Sequence, residues 1–378
     1  MTAGAWIVTA VAGLVCSWIV SPPTNTAGRA AWAALCIGFL ASCGLLTFEH
    51  RAVLVVALPI AAVAAPLAVI RRHRTGRGIL EPAAVRGRVR MAVLGAMLFA
   101  FGVNVAVLNA EARWTWPVIL LGASLVAGIL PFHRPTTESL RAAPADIRAP
   151  AVLLLGPALW MAVAKWTPSQ AGGGFSATLP LLTLWLGAFL ILSRGDLPRL
   201  CAAALLFATG QVTTTAALTP AEAATVAGSI STPLLLVVLL LSKLERAANT
   251  RDFLELGGLA GRAPRLSVAL LAVVFWLVGT VAATPARTLI ELALQGRPLV
   301  SGWQAVREMW PVLVPHAIAV WGWTIVLRDL LVGPARSPLF PEPLRDRVTM
   351  PAAEKPLEDL TGIEMAAIAG CAAIAVLL

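Results

Sequence analysis

Few ionisable side chains interrupt a sequence that is otherwise built of long apolar runs, and those few are where chemistry could reside. His316 stands mid-run in Trp310-Pro-Val-Leu-Val-Pro315-His316, directly after a proline. Glu291 falls in the amphipathic segment 284–298, Lys165 closes an apolar run just before Trp166, and Glu111 lies two residues from Arg113 in a short polar turn. Imidazole, carboxylate and amine groups all exchange protons more readily when burial and a neighbouring charge move their affinity toward neutrality. Inside a bilayer a charge is costly and persists only with a partner or a task, so these four are the proton-path candidates. Each also has a plainer reading. Lys165 suits a helix end whose amine snorkels to the interface, Glu111 suits a local pair with Arg113, and His316 suits a hydrogen-bonded structural histidine.

No nucleophile constellation, paired carboxylates or Gly-rich phosphate loop is present, so no catalytic residues are expected in this chain. The histidines His50, His73, His133 and His316 are scattered, and no two stand at ligand spacing. The cysteines Cys16, Cys36, Cys43, Cys201 and Cys371 all fall in apolar runs without a C-x-x-C pair. Neither metal, disulfide framework nor cofactor is expected.

The elements that must position these groups are membrane helices. With 378 residues, 58% hydrophobic and 13% charged, and a mean hydropathy of +0.83, the chain is too apolar for a soluble body. Twelve runs read as spans, at 4–20, 30–47, 52–70, 91–109, 116–132, 150–166, 176–193, 200–218, 223–242, 266–283, 309–327 and 362–378. Each is long enough to cross about 30 Å of hydrocarbon as a helix; the last either spans or lies in the interface. The start, Met1 to Ala5, lacks a basic region, so the first run reads as a true helix.

The net charge of +10 points to lipid, not nucleic acid, because of where it falls. Of 29 Lys and Arg, 23 lie in alternate gaps, seven of them in 71–90. By the positive-inside rule those gaps are cytoplasmic and both termini lie on the outer side; anionic headgroups suffice as partners for the excess. The segment 71–90 reads as irregular, and 284–298 either extends span ten or lies along the interface. The Pro-rich 328–361 reads as a strap against a neighbour or a linker. Prolines within spans three, six, nine and eleven predict kinks or discontinuous helices. Asn104 and Gln211 read as uncharged hydrogen-bonding groups between helices, and Arg328-Asp329 as a local ion pair.

Three segments resemble the antiporter-like proton-channel subunits of respiratory complex I and its relatives among hydrogenases, cation/proton antiporters and inorganic-carbon complexes. The first is Gly128-Ile-Leu-Pro131-Phe132-His133 with Ala142-Ala143-Pro144, similar to the family's connection between a broken helix and the next. The second is Arg194-Gly-Asp196-Leu197-Pro-Arg199-Leu200, leading to Gly210-Gln211, similar to a helix start. The third is Thr250-Arg251-Asp252-Phe253 through Gly257-Gly258-Leu259 to Pro264, similar to a loop ahead of a span. Together they cover roughly 91–300.

The resemblance implies an all-α, polytopic helix bundle of about twelve membrane helices. It divides into an N-terminal three-helix segment (1–90), an antiporter-like core (91–300), and a C-terminal helix, strap and terminal helix (301–378). It implies a multi-pass subunit of the bacterial cytoplasmic membrane, partnered by other integral subunits of a complex I-like, NADH-quinone oxidoreductase-type assembly. Family members move protons along buried lysines, histidines and glutamates. Here the lysine five positions before the Pro of the first segment falls on Val126, and that of the next helix near Ala158. A His-x-x-x-Lys pair falls near Ile230 and Leu234, and the run from Ala283 to Leu292 has no lysine. No shift of register recovers one, since the only lysines are Lys165, Lys243 and Lys355. The expected role is therefore a subunit without the lysine relay, acting in scaffolding or coupling. The alternatives are a translocator using His316, Glu291 and Lys165 as substitutes, or an unrelated membrane enzyme or transporter.

Overall fold

In the computed structural model of the chain the described residues are 3–23, 25–73, 83–108, 115–166, 175–193, 195–218, 220–251, 256–294, 302–333 and 357–377. Among them every regular element is a helix. In chain order these are α1 (Ala3–Val20), α2 (Thr26–Thr47), α3 (Arg51–His73), α4 (Ala83–Leu108), α5 (Thr115–Ala127), α6 (Arg134–Ala142), α7 (Ala145–Leu155) and α8 (Pro157–Trp166). There follow α9 (Phe175–Leu192), α10 (Leu197–Leu218), α11 (Pro220–Ala248), the single turn α12 (Leu259–Arg262), α13 (Pro264–Leu294), α14 (Gly302–Leu331) and α15 (Gly362–Leu377). Seven helices are long and apolar enough to cross a membrane, and four shorter apolar ones accompany them. Backbone groups have no water to bond in hydrocarbon, so helices are the only open-chain solution. The protein is a multi-pass helical membrane bundle.

Local sequence sets the helix ends. The Asn25 side chain accepts the Gly28 N–H at 2.8 Å and starts α2, and Asp196 accepts the Arg199 N–H at 2.7 Å and starts α10, both as N-caps. Pro264 opens α13, where a missing N–H costs nothing. Thr361 and Glu364 form a reciprocal capping box at α15. Asp359 reaches across to accept the N–H groups of Arg265 and Leu266 at 3.1 and 2.8 Å, so residues 357–360 are strapped to the start of α13.

Three expectations need correction. Arg86, Arg88 and Arg90 are helical residues of α4, not part of an irregular turn, and the fully buried Arg88 finds carbonyl acceptors there. The run 116–132 is helical only to Ala127, whereas 150–166 is divided at Gly156, before Pro157, as the proline in that run led one to expect. Asn104 bonds the Ala100 carbonyl of its own helix at 2.7 Å and not a neighbour. The amphipathic 284–294 continues α13, the first of the two arrangements the sequence left open.

α10 and α11 lie at the centre, most of their surface enclosed, and α9, α7, α13 and α1 pack around them. Small residues let neighbouring backbones approach. A Cβ on Gly122 of α5 would lie 2.4 Å from the Phe99 amide of α4, and one on Gly210 of α10 equally close to the Leu184 amide of α9. α1 and α15 run antiparallel, with the free, buried thiols of Cys16 and Cys371 neighbours between them.

Cross-links between gaps gather all six basic gaps at one end of the bundle. Arg246 donates to the Val20 carbonyl, Arg72 pairs with Asp146, and Arg141 pairs with Asp196. The Leu197 N–H donates to the Arg251 carbonyl, and Arg265 meets Asp359 and Leu360.

Two outcomes follow from this packing. Gly122→Val should lower the melting temperature of detergent-purified protein by several degrees, whereas Gly279→Ala, which meets nothing within 4 Å, should leave it unchanged. Burial would raise the Asp359 pKa, but the N–H groups of Leu266, Arg265 and Leu360 outweigh it and hold the carboxyl below its ordinary value. The charged, bonded form therefore stabilises the strap at and above the ordinary carboxylate range and is lost as pH falls below it. The protection of the Leu266 amide from hydrogen exchange, relative to its intrinsic rate at each pH, should fall on acidification, and should be lower at neutral pH in Asp359→Asn.

Candidate functional site

The last turns of α11 form a hub at the basic end of the bundle. Lys243, Glu245 and Arg246 fall within four residues, and each turns toward a different element. Lys243 pairs with Glu364 at 3.0 Å and Glu358 at 3.3 Å, and Arg246 bonds the end of α1. Glu245 is ion-paired to Arg148 of α7, whose side chain is fully buried, and accepts from Arg251 at 2.9 Å. Arg148 also donates to the Ala143 carbonyl at 2.8 Å. The three family-like segments meet here: Arg141 of the first pairs with Asp196 of the second, and Leu197 bonds Arg251 of the third. Arg194 and 252–255 fall outside the described residues.

Beside the hub, α5 ends inside the bundle. Gly128 takes φ +70°, a left-handed conformation that suits a residue without Cβ, and the Thr136 hydroxyl fills the space a Cβ would need. The helix end leaves carbonyls without intrahelical partners. Arg88 of α4, fully buried, supplies them: Nη1 donates to the Leu125 carbonyl at 2.7 Å and Nη2 to that of Val126 at 2.6 Å. A cation at a helix C-terminus also complements the dipole. On the far side of the break the Leu130 N–H donates to Thr183 of α9 at 2.9 Å. Arg88 Nε, His133 Nδ1, Thr136 Oγ1 and Ser139 Oγ are buried with no partner among the described residues.

His316 occupies a third polar spot, between α14, α10 and α13. It is 3% exposed, stacks edge-on against Phe207 with ring centroids 5.4 Å apart, and its Nδ1 lies 2.6 Å from the Val312 carbonyl. A carbonyl only accepts, so Nδ1 carries a proton and Nε2 is left without a partner among the described residues. Gln211 Nε2 donates to Thr284 Oγ1, bridging α10 and α13, while Gln211 Oε1 and Thr214 Oγ1 are also unpartnered. These groups line one narrow crevice with no room for a water molecule. Behind the ring a cavity of about 330 Å³ opens between α13 and α14, lined by Ala282, Pro285, Val320, Trp321 and Thr324. The carbonyl that Pro315 cannot bond, that of Pro311, is taken by the Trp185 indole N–H at 2.8 Å.

Of the other proton-path candidates, only Lys165 has a described side chain, and it does not join His316. Lys165, at the end of α8, donates to the carbonyls of Leu46 and Phe48 at 2.8 and 3.2 Å and so caps the end of α2. Glu291 lies on α13 at a position whose side chain is outside the described set, and Glu111 lies outside the described residues altogether. Arg328 and Asp329 pair locally at 2.7 Å, as their adjacency suggested. Sequence reading passed over Arg88 and the Arg148–Glu245 pair because each looked like one more basic or acidic residue in a gap. The available signal was Arg88 standing only three residues from the apolar run beginning at Met91, with no acid at i±3 or i±4 to pair it.

No family model matches the chain, and no curated protein matches it. Among solved structures it is similar to a chain of the membrane-bound sulfane sulfur reductase, an archaeal respiratory membrane complex. The TM-score is 0.71 at 14% identity, over 99% of this chain and 62% of that one. The chain thus spans about three-fifths of the solved chain it resembles, and the likeness establishes the fold.

Removing one partner of a buried ion pair strands the other charge, which costs about 3–5 kcal/mol, while replacing both by apolar groups costs far less. Arg148→Met should therefore unfold the bundle at markedly lower denaturant than Arg148→Met/Glu245→Leu, with denaturation followed by circular dichroism. Equal losses in the two variants would show that the pair is not coupled.

Proposed function

We propose that this chain is an antiporter-like integral membrane subunit of a complex I-type assembly, one that lacks the family's lysine relay and serves in scaffolding or coupling. It crosses the bacterial cytoplasmic membrane about twelve times, with the basic end of the bundle inside and both termini outside, and its partners are other integral subunits and lipid. The fold likeness to a chain of an archaeal respiratory membrane complex supports this reading. So does the meeting of the three family-like segments at one hub.

The observation that carries it concerns the positions where relatives keep lysine. Val126, Ala158, Ile230 and Leu234 are all buried, at 0–1% exposure, and all apolar. A proton file needs titratable groups in the middle of the bundle, and His316 alone among the described ionisable side chains sits mid-helix in the apolar core without a charged neighbour. Lys165, the one lysine within an apolar run, spends its donors on helix-end carbonyls.

The second reading is an active proton or cation translocator. It is favoured by the unpartnered His316, Gln211 and Thr214 atoms around one crevice, since buried unsatisfied polar atoms commonly mark water or function. Driven proton flux in the reconstituted complex separates the two. Under the first reading His316→Ala, Glu291→Gln and Lys165→Met each leave turnover-linked pumping within about twofold of the unaltered complex. A tenfold loss in His316→Ala, with assembly intact, would establish the second.

A further inference from the structure

We propose that Arg88 is a fixed-charge seal: it holds a permanent cation inside the helix break and so keeps the cluster of buried, unpartnered polar atoms there from conducting protons. The inference rests on the reading of a subunit without a lysine relay, and it concerns passive leak, not pumping.

The break is the weak point of the bundle's insulation. α5 stops at Ala127, and residues 128–133 form an irregular connection before α6. Polar atoms gather around it: the carbonyls of Leu125 and Val126, and the unpartnered His133 Nδ1, Thr136 Oγ1 and Ser139 Oγ. α6 packs against α4 and α10 and carries these hydroxyls toward the basic end, where its Arg141 meets Asp196. Buried polar atoms without partners are a ready entry for water.

Arg88 stands where that entry reaches the end of α5. Its guanidinium is fully buried and grips two successive carbonyls, a fork geometry that an ammonium cannot reproduce. No carboxylate pairs with it among the described residues, so its charge is offset only by carbonyl oxygens and the negative end of the α5 dipole. A cation this deep repels an entering hydronium, as basic groups do in pores that exclude protons. Arginine also keeps its proton under all ordinary conditions, whereas a buried lysine releases its own readily. A lysine in this place could hold one of the two carbonyls but would give the polar cluster a titratable group. Arg88 therefore does two things: it positions the helix end, and it denies a proton a resting place.

The test is passive proton influx into vesicles holding the purified full-length chain, read by an entrapped pH dye without redox turnover. Arg88→Lys and Arg88→Met are compared with the unaltered chain, each with a thermal scan for folding. Influx through the unaltered chain should be low and flat from pH 6 to 9. Arg88→Lys should melt within a few degrees of it yet leak at least tenfold more, rising with pH as the lysine begins to lose its proton. Arg88→Met, where folded, should leak at every pH. If Arg88→Lys stays as tight as the unaltered chain, the seal is refuted and Arg88 is a helix cap alone. That outcome leaves the pumping experiment untouched, and loss of pumping in His316→Ala would leave the seal standing.

Discussion

Glu245 accepts hydrogen bonds from two arginines at the end of the long, enclosed helix α11, and the basic end of the bundle is organised around that carboxylate. Arg148 is taken wholly out of water by α7 and is tolerable there only because Glu245 and the Ala143 carbonyl receive it. Through Arg251 the same carboxylate fixes the loop whose carbonyl holds the start of α10. Lys243 and Arg246, on either side, attach α15 and α1. Without Glu245, Arg148 and Arg251 would both lose the carboxylate they share, and α7 and the loop at Arg251 would lose their common anchor on α11.

A second theme runs through the interior. At three places where a helix stops or kinks, a side chain replaces the backbone bond that is lost. Arg88 serves the end of α5, Lys165 the end of α2, and the Trp185 indole the carbonyl freed by Pro315. Each donor comes from another helix, so each irregularity also joins two elements.

The fold was largely readable from the sequence because hydrocarbon enforces it. Apolar length and the alternation of arginine-rich gaps are strong constraints, and eleven of the twelve expected runs hold an apolar helix near the expected limits. The remaining run was divided at Gly156, and α5 stopped short at Ala127; a Gly-Pro pair and a lone glycine signal a break weakly, since kinked helices carry the same residues. The site was less legible. Ion pairing across 97 residues, as between Arg148 and Glu245, leaves no local pattern, and a guanidinium capping carbonyls leaves none at all, because any residue supplies a carbonyl. His316 stood out only because it interrupts an apolar run. What surrounds it, the bridge from Gln211 to Thr284 and the edge of Phe207, depends on helix rotation that apolar patterning on all sides of α10 does not specify.

The indole of Trp185 and the ring of Pro315 make one unit spread over two helices. A leucine at 315 would restore the intrahelical bond and release the indole; a phenylalanine at 185 would strand a carbonyl unless the proline went too. Descendants of this gene should therefore exchange the two together or not at all. A lineage in which one has drifted alone should carry some other donor near residue 311, a trace by which the history of this kink can be followed through sequences that otherwise share little.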